Sequence, residues 1–315
     1  MKEGISLNTA ASRAGVIAIG SNSTRMLTAN LDSFLSQPLR ARQETRLFLA
    51  LNEGRSIAPE TAIRLIDAVR LLHQQALDAG AQRVYLTATS AVRDSRDSLS
   101  LKASLLQKTG LDLRILTGNE EAAYSFLGAV YPDESGQTLG VVDIGGGSTE
   151  IAWGSRNALE HSQSLQLGAS RLYAIHPIND MQGLAPALHQ AEQETDKAFN
   201  GLVSSPGGWL LVGGTGTALI GLLKGRMMAA DLQEDQPFNR EQAFTALRTL
   251  AGLSLKERTE LPGMTPGREH ILPTGLTILC ALMARLKIEE MRVTARSNCD
   301  GFLYKLAAEQ NKEEG

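Results

Sequence analysis

Two stretches of this sequence put glycines and hydroxyls where a phosphate could sit. They are Gly20-Ser21-Asn22-Ser23-Thr24 and Asp143-Ile144-Gly145-Gly146-Gly147-Ser148-Thr149. A glycine turn between strands exposes successive backbone N–H groups with no side chain to hold an anion away. Ser and Thr hydroxyls add further donors. Residues 16–24 align without gaps on 141–149, each copy reading as strand, tight turn, strand. One such turn is as readily a plain β-turn. Two copies, one per half, argue for a duplicated fold with a phosphate cleft between the halves. A third cluster, Gly213-Gly214-Thr215-Gly216-Thr217, follows an apolar run and precedes an apolar helix, an arrangement that suits a phosphate at a helix N-terminus. The chain has no GxxxxGK[ST] and no GxGxxG after a strand, which argues against a P-loop NTPase and a nicotinamide enzyme.

Charged residues near these loops supply the remaining chemistry. Thr117 stands three residues before Glu120, the spacing of a capping box that accounts for Glu120 structurally. Glu121 lies about 100° further round the helix and is free to point elsewhere, although acidic residues are common in first turns. Arg93 follows an apolar strand and a short Thr-Ser-Ala loop, and a guanidinium fork matches phosphate geometry. Arg46 and Arg171 are weaker candidates, and Arg268 reads first as a structural residue. Asp143 and Glu150 flank the second loop as a metal-linked pair. One or two carboxylates with waters and phosphate oxygens suit Mg²⁺, which would spread charge on a transferred phosphoryl group. The five histidines show no metal spacing.

The elements that must position these groups alternate between short apolar runs and amphipathic segments, which is an α/β pattern. Strands are expected at 16–19, 26–31, 83–87, 113–116, 139–142, 150–153, 209–212 and 291–294. Helices are expected at 59–77, 98–109, from 120, at 168–176, 184–203, 239–251 and 271–287, and from 298. The helix at 59–77 rests on Ile63, Ile66, Val69, Leu72 and Ala76, spaced three or four apart. Turn formers at 132–136 mark a boundary, giving halves of 1–128 and 129–315 with a hinge near 118–136.

Bulk numbers bound the class. The 315 residues carry 43% hydrophobic and 21% charged residues and a net charge of −3, a globular balance without a broad nucleic-acid footprint. Two cysteines, Cys280 and Cys299, lack metal or redox spacing. Residues 1–14 are polar and no run approaches a membrane span. A cytoplasmic location is the expectation.

Taken together, DIGGGSTE at 143–150, GSNSTR at 20–25, TSAVRD at 89–94, GNEEA at 118–122, LGASRL at 167–172 and GGTGTAL at 213–219 resemble the exopolyphosphatase and guanosine pentaphosphate phosphohydrolase family. The resemblance runs from about residue 15 to the end, at the length of the short two-domain members. It implies duplicated ribonuclease-H-like domains of the actin, sugar kinase and Hsp70 superfamily, flanking a cleft. It implies Glu121 as the catalytic glutamate that orients or deprotonates the attacking water. It implies phosphate binding by Gly20, Ser21, Asn22, Ser23, Arg93, Gly145, Gly146, Gly147, Ser148, Gly214 and Thr215, with Asp143 and Glu150 at a Mg²⁺. Inorganic polyphosphate or guanosine pentaphosphate would be the ligand, and a homodimer stays open. Four positions depart from the family pattern. Ala18 replaces the first-loop aspartate, Phe48 stands where a glycine is usual, Cys299-Asp300-Gly301 replaces Arg-Glu-Gly, and Asp97 replaces an asparagine. Ala18 and Cys299 motivate a competing class, a binding or regulatory module without turnover. A sugar kinase is more distant.

Overall fold

The computed structural model describes residues 12–32, 35–51, 55–131, 133–199, 206–228 and 235–313. Expectations touching residues 1–11, Pro132 and 200–203 lie outside them. The first sheet begins with three antiparallel strands, β1 (Arg13–Ile19), β2 (Ser23–Asn30) and β3 (Leu39–Glu44). Then come α1 (Pro59–Asp78), β4 (Arg83–Ala88), α2 (Ser90–Arg93), α3 (Ser98–Thr109), β5 (Leu113–Ile115) and α4 (Gly118–Val130). β4 and β5 add in parallel, for the order β3-β2-β1-β4-β5.

The second half repeats the plan. β6 (Leu139–Ile144), β7 (Thr149–Ser155) and β8 (Ala158–Leu165) form the antiparallel trio. They are followed by α5 (Ala169–Ile175), α6 (Met181–Ala198), β9 (Gly208–Val212), α7 (Gly214–Lys224), β10 (Gln236–Asn239), α8 (Arg240–Ala251), α9 (Leu255–Glu260), α10 (Leu272–Arg285), β11 (Glu290–Val293) and α11 (Asn298–Glu313). The order β10-β11-β9-β6-β7-β8 is the first sheet's order with one added edge strand. The fold is thus duplicated, as the internal repeat implied, and each sheet has the strand order of the ribonuclease-H-like fold that the resemblance implied. The strand expected at 26–31 starts earlier, at Ser23, and the helix expected at 184–203 starts at Met181, where the Asp180 carboxylate caps the N–H groups of Gln182 and Gly183.

Residues alternate across the strands, and each face meets a different helix layer. In β1, Ile17 and Ile19 join a core with Leu65, Val69 and Leu72 of α1. Ala14, Val16 and Ala18 face the other way and pack with Cys299, Phe302 and Leu303 of α11. In β6, Val142 and Ile144 face α10 residues such as Leu276 and Leu279, whereas Leu139 and Val141 meet Phe126, Ala129 and Val130 of α4. Helix α4 thus covers the second sheet and α11 returns to cover the first. A division at 128/129 falls inside α4 and leaves the last helix serving the first sheet.

The two helices cross where both lack side chains. A Cβ on Gly128 would strike the Ser297 carbonyl, and one on Gly301 would strike the Tyr124 carbonyl. Overpacking such a contact typically costs about 1–3 kcal/mol. Gly301→Ala is therefore expected to lower unfolding free energy by roughly that amount, read as a fall in the urea midpoint at unchanged m-value. An unchanged midpoint would mean the crossing is not tight.

Candidate active site

Both glycine loops are built the same way. Gly20 N–H donates to Ser23 O at 3.1 Å and Gly145 N–H to Ser148 O at 3.0 Å. Other segments occupy the loop carbonyls. In the first loop, Thr45 and Arg46 N–H donate to Asn22 O and Phe48 N–H donates to Ser21 O. In the second, Ala169 N–H donates to Gly145 O, the N–H groups of Ser170 and Arg171 to Gly146 O, and Arg171 Nε to Gly147 O at 2.6 Å. With the carbonyls bonded outward, the N–H groups of Ser21, Asn22, Gly146 and Gly147 have no acceptor among the described residues. That is the arrangement an anion needs. The loops touch across the cleft, for a Cβ on Gly146 would lie 2.7 Å from Ser21 Cβ.

Between them is a cavity of about 70 Å³, lined among others by Gly20–Ser23, Glu121, Asp143, Gly145, Gly146, Gly213 and Gly214. Glu121 comes from the first turn of α4, which the Thr117–Glu120 capping box anchors. Only 7% of Glu121 is exposed, and its Oε2 accepts from Arg93 Nη1 at 3.1 Å. Burial raises its pKa to about 7, with Arg93 opposing and Asp143 adding to the shift. A carboxyl that titrates near neutrality suits a general base.

Asp143 pairs with Glu150 across β6 and β7. Burial raises the pKa of Asp143, opposed by the Ser125 hydroxyl and by Arg25. Ser125 donates to its Oδ2 at 2.6 Å. Burial first, then Glu121 and Asp143, raise Glu150 well above the usual carboxylate range. Its Oε1 accepts from Ser164 at 2.7 Å, and its buried Oε2 has no partner. Among the described residues no three His, Cys, Asp or Glu converge as a metal cage. Three mutually repelling carboxylates with an orphaned oxygen fit a Mg²⁺ that keeps several waters, not one caged by protein.

The first half carries different chemistry at the equivalent pair. Ala18 lies opposite Arg25 in the β1–β2 register, where the second half has Asp143 opposite Glu150. Ala18 and Arg25 both line the cleft. Arg268 joins them, 6% exposed. Burial and the nearby cations Arg25 and Arg42 lower its pKa to about 9. A structural reading of Arg268 gives way to a cleft-lining one. A second chamber of about 330 Å³ shares Arg25 and Gly213 with the first and adds Arg40, Arg42, Met26, Met228 and Cys299. Cys299 itself is inert, its buried thiol pushed up to about 11.

Several expected phosphate contacts lie elsewhere. Arg93 sits behind Glu121, also donating to Leu116 O at 2.8 Å, with its buried Nη2 unpartnered. Thr215 packs against Gly275 of α10 and is absent from the cleft lining. Gly147 abuts Ser90 and Phe48, and Ser148 is buried beneath the loop. Ser21 and Asn22 spend their side chains on Ser90 Oγ and Glu44, so their backbone is what faces the cleft. Arg25 was missed, although one more residue of the internal repeat aligns it with Glu150.

A two-sheet fold with paired anion loops and a buried glutamate matches one known family over most of its length. The Ppx/GppA phosphatase family model covers residues 29–310. The chain belongs to the Ppx/GppA phosphatase family. A guanosine-5'-triphosphate,3'-diphosphate pyrophosphatase of Vibrio atlanticus (strain LGP32) is 26% identical over 304 residues, 95% of this chain and 60% of that protein. A Vibrio cholerae protein of the same name (strain ATCC 39541) is 25% identical over 303 residues, again 95% and 60%. The chain thus spans about 60% of the length of these relatives. Among solved structures, an Aquifex aeolicus Ppx/GppA family member superposes at TM-score 0.79, 21% identical, over 96% of this chain and 99% of that one. An exopolyphosphatase from Cytophaga hutchinsonii superposes at 0.84, 20% identical, over 94% and 98%. These share the fold.

The buried glutamate also sets a stability test. Because folding raises the pKa of Glu121 from 4.5 to about 7, the folded state binds more protons than the unfolded one between those values. Stability is full below 4.5 and falls as pH rises through about 7. In metal-free buffer, Glu121→Gln should gain stability relative to wild type across that window, by up to roughly 3 kcal/mol, in urea melts at pH 4.5 and 8. A pH-independent difference would refute the raised value.

Proposed function

We propose that this chain hydrolyses the terminal phosphate of a phosphoanhydride chain, inorganic polyphosphate first, with Glu121 as general base. The observation that carries this reading is the burial of Glu121 in the cavity that the two N–H-bearing loops enclose. A space of about 70 Å³ suits a single phosphoryl group, and the adjoining chamber of about 330 Å³ suits what remains attached to it. That division favours attack at a chain end.

In this mechanism Glu121 takes a proton from water as the water oxygen bonds to the terminal phosphorus and the bridging P–O bond breaks. The leaving chain departs as the anion. Charge on the equatorial oxygens falls on the loop N–H groups, Arg25 and Arg268, which need no reorganisation to receive it. An anion in the cleft also relieves the repulsion among Arg25, Arg42 and Arg268. Arg93 holds Glu121 in place. Asp143, backed by Glu150, would hold Mg²⁺, which when bound neutralises phosphate charge. The two sheets, each carrying the helix that packs on it, would open and close about the crossing of α4 and α11. The two buried free thiols fit a reducing, cytoplasmic setting.

Guanosine pentaphosphate is the second reading. The chamber's apolar wall of Met26, Leu27, Met228 and Cys299 favours it, because a bare polyphosphate offers nothing apolar to bury. Side-by-side kinetics on tripolyphosphate, long polyphosphate and guanosine pentaphosphate decide between them.

Phosphate release should fall by about 10²–10⁴-fold in Glu121→Gln. Wild-type kcat/KM should rise with pH through about 7 as one proton leaves. If Glu121→Gln released phosphate as fast as wild type, or wild type released none, catalysis by this site would be wrong. Ala18→Asp would set a carboxylate opposite Arg25 and face the cleft. It is expected to lower the Mg²⁺ concentration needed for half-maximal rate. No change would mean that Asp143 and Glu150 hold the ion unaided.

A further inference from the structure

The Arg171 side chain joins a phosphate loop of the second half to two residues of the first half. It lies in the first turn of α5, in the second half, and is 12% exposed. Its backbone N–H donates to Gly146 O at 2.9 Å, and its Nε donates to Gly147 O at 2.6 Å. The guanidinium then reaches across to the first half. Nη2 forms an ion pair with Asp94, itself 12% exposed, and also donates to Gln166 Oε1 at 2.9 Å. The guanidinium carbon stacks 5.0 Å above the centre of the Phe48 ring.

Each first-half partner is wired to the active site. Asp94 caps α2 immediately after Arg93, which holds Glu121. Phe48 N–H donates to Ser21 O in the first loop, and the Phe48 ring lies against the second loop, where a Cβ on Gly147 would come within 3.0 Å of it. None of the three side chains lines the reaction cavity, so none can bind the transferred phosphate directly. Arg171's contacts with Asp94 and Phe48 both run from the second half to the first.

We propose that Arg171, Asp94 and Phe48 form a closing latch, with Arg171 as a positioning residue that couples closure of the halves to the shape of the second phosphate loop. A guanidinium serves here because its planar fork stacks on an aromatic ring and bonds a carboxylate and a carbonyl at once, which an ammonium cannot do. At 12% exposure the pair is shielded from the screening that weakens open-surface ion pairs. The closed form is the one in which Ser21 meets Gly146 and the N–H groups converge. The latch therefore sets the fraction of molecules competent to bind, and losing it raises the apparent dissociation constant by that fraction.

The experiment measures closure without turnover. Spin labels at Leu99→Cys on α3 and Met181→Cys on α6, both exposed, report the distance between the halves, while the two buried native thiols stay unlabelled. Wild type should give a short, narrow distribution. Arg171→Ala and Asp94→Asn should each shift it to longer distances, and saturating tripolyphosphate should pull it back. Arg171→Lys should recover less than half of the shift. In phosphate-release assays, a latch worth 1–2 kcal/mol predicts a KM rise of about 5- to 30-fold with kcat within about twofold. Phe48→Gly should do the same more weakly, and Asp94→Asn added to Arg171→Ala should add nothing. The idea fails if Arg171→Ala leaves the distance distribution as in wild type, or if it lowers kcat at unchanged KM. The kinetic arm rests on the hydrolase reading, but the distances do not, so either can fail alone.

Discussion

Each sheet of this protein has two faces to bury, and the chain covers the second face of each with a helix that belongs, in sequence, beside the other. Helix α4 leaves the first half and lies on β6, β7 and β9, while α11 ends the second half and lies on β1 and β2. Everything at the active site depends on that exchange. The first turn of α4 carries Glu121, and its burial against the second sheet puts that carboxylate over the strand bearing Asp143. One turn later Ser125 reaches the same aspartate. A helix packed on its own sheet would carry Glu121 away from the second loop altogether.

On this frame the two loops divide their labour. Both turn their carbonyls outward and leave N–H groups inward, the first by bonding to the 45–48 segment and the second by bonding to α5. Their neighbouring strand pairs carry opposite charge. Asp143 and Glu150 give the second half a carboxylate pair, whereas the first half sets Ala18 opposite the cation Arg25. The opposition belongs to the strand pairs, for Glu121 from the first half and Arg268 from the second also line the cleft. Burial works against the charged form of each group, raising the carboxyl pKa values and lowering that of Arg268, so a bound metal ion or phosphate that pairs with them restores their charge.

The duplicated plan was legible because the loops repeat in the residues themselves, and the capping box at Thr117 located the start of α4. Three strands were not legible. β3 reads Leu-Arg-Ala-Arg-Gln-Glu and β8 reads Ala-Leu-Glu-His-Ser-Gln-Ser-Leu, polar sequences held by ladder bonds to β2 and β7 and mostly open to solvent. β10 is a four-residue edge strand with only Phe238 buried. At the site, spacing could flag Glu121 and Asp143 but could not say where a long side chain ends. Thr215 and Arg268 exchanged roles for that reason. A helix neighbour, Gly275, draws Thr215 inward, and the absence of a side chain on Gly214 admits Arg268 to the cleft.

The return of α11 also bears on how the chain comes off the ribosome. Ala14, Val16, Leu27 and Ala29 are made long before the Phe302, Leu303 and Tyr304 that cover them. Burying those three side chains is worth roughly 5–9 kcal/mol, comparable with the whole net stability of a typical domain, about 5–15 kcal/mol. The first sheet therefore waits, one apolar face bare, while some 170 intervening residues from β6 onward are synthesised, about 10–30 seconds at ordinary rates of synthesis. During that interval the nascent chain offers this bare apolar face to a holding chaperone.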